Sequence, residues 1–150
     1  MKIHRKVFEE LKNLLTEELG GNITEHERGT YIEINETNIW FSTDEHEFTV
    51  AYGIVHNHYD PEFEVIKAAI DRLFNLLTCR IKKTNFLKGD FTFKHRIDLE
   101  LPNGELENVG TGMTWLYPYW KKTIQKVSFS NNLIERDKIN EQIEKIKDYA

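Results

Sequence analysis

The string His56-Asn57-His58-Tyr59-Asp60 places two imidazoles one residue apart, with a carboxylate close behind. Side chains two apart on an extended segment point the same way, so His56 and His58 form a pair that zinc or another transition metal could use. Such an ion needs at least one further protein ligand, and His26, His46 and Glu47 qualify only if neighbouring strands bring them close. The competing reading leaves both rings exposed at a strand end and gives Asp60 the task of capping the next helix. Weighing the two, no metal and no other cofactor is expected.

Carboxylates supply the second chemical feature. Between Glu17 and Glu64 stand twelve acids against a single base, Arg28, a net −11, whereas the whole chain carries −5 and the remainder is therefore +6. Glu33, Glu36, Asp44, Glu45 and Glu47 fall on turns and strand positions expected to be exposed. If they share one surface, its field accelerates encounter with a basic partner and weakens as salt screens it. The alternative is a solvated face with no partner.

Trp115-Leu116-Tyr117-Pro118-Tyr119-Trp120-Lys121-Lys122 is the most aromatic stretch. Pro118 cannot donate to a strand ladder, which sends part of this segment to an edge or a loop. Two or three of its rings are expected in the core. Tyr119 and Trp120, with Trp40 from the acidic half, are the candidate anchors of an interface should they prove exposed. A basic stretch, Arg80, Lys82, Lys83, Lys88, Lys94, His95 and Arg96, offers a positive patch. The pI of about 5.7 argues against nucleic acid as its ligand. Pairing with the acidic face of a second copy, a homodimer, explains it equally well.

Signatures of catalysis are missing. The sequence has no phosphate-cradling glycine-rich loop and no glycine-flanked nucleophilic serine, and Gly110-Thr111-Gly112 leads into Met113-Thr114 rather than a helix start. Cys79 is the only cysteine, which rules out an intrachain disulfide, and its place at the end of an apolar helical pattern suggests a buried structural thiol. No catalytic residue is assigned, and the chain is expected not to be an enzyme.

The elements that position these groups follow from periodicity. Ile3, Val7, Phe8, Leu11, Leu14, Leu15 and Leu19 recur at three- and four-residue steps, predicting a helix that Gly20-Gly21 ends. Thr30 to Ile34, Ile39 to Ser42 and Phe48 to Val55 read as an antiparallel meander, with Phe48, Val50, Tyr52 and Ile54 on one face. Asp60-Pro61-Glu62 is a helix start, and Val65, Ile66, Ala69, Ile70, Leu73, Phe74, Leu76 and Leu77 make the helix from Pro61 to about Thr78 broadly apolar. Strands follow over Arg80 to Leu87, Phe91 to Leu101, Glu105 to Thr114 and Thr123 to Ser130, with Asn103-Gly104 as the clearest hairpin signal. A last, peripheral helix over Asn132 to Tyr149 begins at capping-box spacing, Asn132 and Glu135, and carries Ile139, Ile143 and Ile146 on one stripe.

That order, α-βββ-α-ββββ-α, predicts an α+β fold: one domain over residues 1–150, with a single antiparallel sheet and helices packed on one side. The chain is long enough to bury a self-sufficient core, and no run is long and apolar enough to span a bilayer. The opening residues enter an amphipathic pattern directly, so a cytoplasmic location without membrane contact is expected. In layout, through its leading helix, acidic meander, central helix and WLYPYWKK strands, nearly the whole chain resembles the small cytoplasmic immunity proteins encoded beside polymorphic toxins in Gram-positive bacteria. The resemblance is one of layout and carries no site residues over. It implies a protein that binds one toxin domain and blocks its active site or substrate channel. Many such toxins are nucleases with basic grooves, where a carboxylate surface could stand in for a phosphate backbone. The expected function is therefore inhibitory binding through Glu33, Glu36, Trp40, Asp44, Glu45, Glu47, Tyr119 and Trp120. Metal or small-ligand binding at His56 and His58 and a homo-oligomeric module are the alternatives.

Overall fold

The computed structural model describes residues 2–60 and 64–149, and the chain gathers into two compact units, residues 1–78 with 134–150 and residues 79–133. The fold is α+β with antiparallel sheets, in the predicted order of helices and strands. Two sheets form, however, where one was expected. The two sheets differ in strand length. The first meander makes strands of four or five residues, whereas those after the central helix run to eight, nine or ten.

In the first unit, α1 (Ile3–Leu19) ends where Gly20 takes φ +56° and its N–H donates to the Thr16 carbonyl, a conformation that costs glycine little. The sheet is a simple meander of β1 (Ile23–His26), β2 (Tyr31–Ile34), β3 (Ile39–Thr43), β4 (Phe48–Tyr52) and β5 (Val55–Tyr59), in spatial order. Two strands differ from expectation. β1 was not foreseen, and the single strand over Phe48 to Val55 is broken by Gly53 at φ +62°, which turns the chain into β5. Ile54 consequently sits in the turn, 69% exposed, rather than beside Phe48, Val50 and Tyr52 in the core.

Phe8 of α1 packs on Phe41 and Phe48, with centroids 5.3 and 6.2 Å away, and so fixes which face of the sheet is core. Each fully buried side chain of this kind contributes roughly 1.5–3 kcal/mol. α2 (Glu64–Thr78) buries Ile66, Ala69, Ile70, Leu73, Leu76 and Leu77; its expected start at Pro61-Glu62 lies outside the described residues. α3 (Arg136–Lys147) buries Ile139, Ile143 and Ile146 as predicted, and its N-cap position is Glu135, three residues beyond Asn132. Polar contacts fasten α3 to the other helices of this unit. Lys138 pairs with Glu18 at 3.0 Å, Lys147 with Asp71, and Arg136 donates to the Asn75 side-chain carbonyl at 2.8 Å. The hydrogen bond to Asp71 raises the pKa of Lys147.

The second unit is a sheet of β6 (Arg80–Lys88), β7 (Phe91–Glu100), β8 (Leu106–Met113) and β9 (Thr123–Ser130), in spatial order β8-β7-β6-β9. The Asn-Gly hairpin forms as read: Gly104 takes φ +85°, and Leu101 N–H donates to the Glu105 carbonyl at 2.8 Å. Because β8 and β9 lie at opposite edges, the loop 114–122 must cross the ends of β7 and β6. It is held there by the stack of Tyr117 on Phe93, at 4.6 Å, and by the Lys121 stem lying against Gly89. Asp98 is buried, accepting from Arg96 Nε at 3.1 Å and from Asn108 Nδ2 at 3.2 Å. Cys79 is buried. Among the described residues no helix is long and apolar enough to cross a membrane.

Candidate functional site

Strand alternation divides the first sheet. Ile32, Ile34, Ile39, Phe41, Phe48 and Val50 go to the helix side, and the residues between them go to the other face. Register then sets His26 beside Tyr31, Glu33 beside Trp40, Trp40 beside Ala51 and Ala51 beside His56, with Thr49 beside His58. The result is a continuous ladder of rings. His26 meets Tyr31 edge-on at 5.6 Å, Tyr31 stacks on Trp40 at 5.0 Å, Trp40 approaches His56 at 6.3 Å, and His56 meets His58 edge-on at 4.9 Å. Ala51, between Trp40 and His56 in register, is itself buried, and its single methyl leaves room for the rings on either side.

Hydrogen bonds set the polarity of this face. The Trp40 indole N–H donates to the Gly53 carbonyl at 2.9 Å. His56 Nδ1–H donates to the Ile54 carbonyl at 3.0 Å, His58 Nδ1–H to the Glu47 carboxylate at 2.5 Å, and His26 Nε2–H to the Glu33 carboxylate at 3.1 Å. Two carboxylates, Glu33 and Glu47, are thus set among three imidazoles on this face. Beside them His26, Glu27, Tyr31 and Glu33 line a shallow depression. Burial, then the charges of Glu33 and Glu27, raise the Tyr31 pKa, so its phenol keeps its proton.

Of the acids singled out by sequence, this face collects Glu33 and Glu47 with Trp40. Glu36 lies on the β2–β3 turn, at the opposite end of β3 from Asp44 and Glu45, so the expected gathering of all five on one surface does not occur. The Asp44 side chain accepts the backbone N–H groups of His46 and Glu47 at 2.6 and 2.8 Å, which holds its carboxyl below the usual range. The same turn meets the start of α1: Lys2 donates to the Glu45 carbonyl at 2.6 Å and His4 Nε2–H to that of Asp44 at 3.0 Å. Even so, the first unit holds twenty acids against eleven lysines and arginines, a net −9.

His56 and His58 do share one side, as read. Yet no group of three or more His, Cys, Asp or Glu side chains among the described residues is arranged to hold a metal ion. The ladder as a whole was not foreseen. Trp40 and His56 are each legible alone and Tyr31 is not, and their neighbourhood depends on strand register: β2 against β3 for Tyr31 and Trp40, and the turn at Gly53 for His56.

The second unit presents a different surface. Trp115, Leu116, Tyr119 and Trp120 are 95, 86, 74 and 72% exposed, which overturns the expectation that two or three of these rings join the core; only Tyr117 is partly covered. Pro118 and the crossing path of the loop leave no strand face to bury them. Met113, Thr114, Trp115 and Tyr117 line a small apolar recess. The basic stretch spreads along β6 and β7, with Lys94 over Phe86 and Arg80 over Phe129 in cation–π contacts. This unit holds nine lysines and arginines against five acids, a net +4. Comparison of the chain with known families, with characterised proteins and with solved structures returns no match.

Proposed function

We propose that this chain is a binding protein rather than an enzyme, and that the ring ladder of its first sheet captures a basic protein partner. The observation that carries the reading is the pair of carboxylates, Glu33 and Glu47, held by imidazoles on the same face as stacked Tyr31 and Trp40. Guanidinium and ammonium groups bring donors and positive charge together, and they satisfy such a face as few other side chains do. The net charge of −9 on the unit steers them to it. Tyr119 and Trp120, exposed on the second unit, keep the role of apolar anchors.

The resemblance in layout to immunity proteins suggests the partner's class: a toxin domain with a cationic groove, bound and neutralised in the cytoplasm. The test is capture from a host lysate at low ionic strength, with the wild-type chain and an E33Q/W40A/E47Q variant compared side by side. A toxin domain retained by the first and lost by the second, with affinity falling as salt rises, supports the proposal. Equal retention by both chains, or affinity indifferent to salt, overturns it.

A further inference from the structure

The four edges of the two sheets are protected very unequally. β1 is four residues long and β5 five, too short to template much. β8 carries an extra residue at Val109, where its register against β7 shifts, two glycines, Gly110 and Gly112, and the acids Glu105 and Glu107 at its start. Bulges, glycines and charges are the usual means of blunting an edge. β9 has no bulge and no glycine, and its single charge is Lys126. All eight of its residues pair with β6 without a break, it contains no proline, glycine or acid, and every residue is exposed, including Ile124, Val127 and Phe129.

We propose that β9 pairs with β9 of a second copy, joining two four-stranded sheets into one of eight. Antiparallel pairing about a two-fold axis puts residues of like parity opposite one another, so the centre falls on Lys126 or on Val127. Centring on Lys126 would oppose two ammonium groups, which is unfavourable. Centring on Val127 sets Val127 against its own copy, Gln125 against Phe129, Lys126 against Ser128 and Ile124 against Ser130. No like charges then meet, and Lys121 and Lys122 fall beyond the paired segment, at its two far ends. The sequence of β9 is thus self-complementary in one register, and that is what selects a second copy over a foreign strand. This inference does not rest on the function proposed above.

Sedimentation equilibrium of the full chain tests it. The expected result is a mass of twice 17.8 kDa, with the V127K variant dissociating on the order of tenfold or more readily while keeping its circular dichroism spectrum. A V127C variant should form an intermolecular disulfide under mild oxidation and Q125C should not, with the parent chain, whose Cys79 is buried, as the blank. A monomer at every concentration overturns the proposal, as does a dimer that V127K leaves intact or a Q125C chain that cross-links as readily as V127C.

Discussion

Trp40 stacks on Tyr31 from the neighbouring strand, ring planes 17° apart, while its indole N–H is tied to the Gly53 carbonyl. One side chain therefore joins β2, β3 and the β4–β5 turn. Replacing it separates two roles. W40F keeps a ring in the stack and loses the hydrogen bond, so urea denaturation should register a loss of about 1 kcal/mol. W40A also removes the platform, and affinity for the captured partner should fall roughly 30-fold, the scale of an interface anchor.

Asp44 holds the β3–β4 turn through two backbone N–H groups, and its carboxyl sits below the ordinary value of 3.8. A group depressed in this way contributes stability that is present above the unfolded value and lost as pH falls through the folded one. D44A should cost about 1 kcal/mol at neutral pH. D44N keeps an acceptor and should lose less, while flattening the decline in stability below pH 3.8 seen in acid titration of the wild type.

His95 reports on pH in a higher window. Burial, then the charge of Lys83, lowers its pKa from 6.5, and its Nδ1–H donates to the Asn85 side-chain carbonyl at 2.7 Å. The unfolded chain takes up the proton first, so the stabilisation is complete above 6.5 and is lost as pH falls from there through the lower folded value. Thermal melts between about pH 8 and pH 5.5 should show the midpoint dropping, and H95Q should remove that component of the drop.

Asp98 is the buried acid of the second unit, and D98A would strand its donor from Asn108. We expect a loss of about 2–3 kcal/mol in denaturant melts, beyond anything a surface substitution produces.

Glu36 adopts φ +61° on the β2–β3 turn, a region costly for a side chain with a Cβ. E36G should raise stability by up to about 1 kcal/mol. Because Glu36 lies away from the ring ladder, the same change should leave partner affinity within a factor of about two, a negligible shift on the interface scale.

Helices and long strands were legible because their signals are local: three- and four-residue apolar steps for α1, an Asn-Gly pair for the β7–β8 hairpin. β1 was not, since Ile23-Thr24-Glu25-His26 is short and polar and becomes a strand only by pairing with β2. The split into two sheets was hidden for a similar reason, because alternation reveals that strands exist and not which edges they choose. At the candidate site, Glu33, Trp40, Glu47 and His56 are legible from type and position, while Tyr31 joins them through register alone. At Trp115 and its neighbours aromatic content suggests core while Pro118 points to a loop, and the exposed rings show that the proline is the stronger signal.

That loop is fastened at Tyr117 and at Lys121, and the four large apolar side chains around those fastenings do nothing for the fold. A lineage can therefore rewrite Trp115, Leu116, Tyr119 and Trp120 without renegotiating the architecture beneath them.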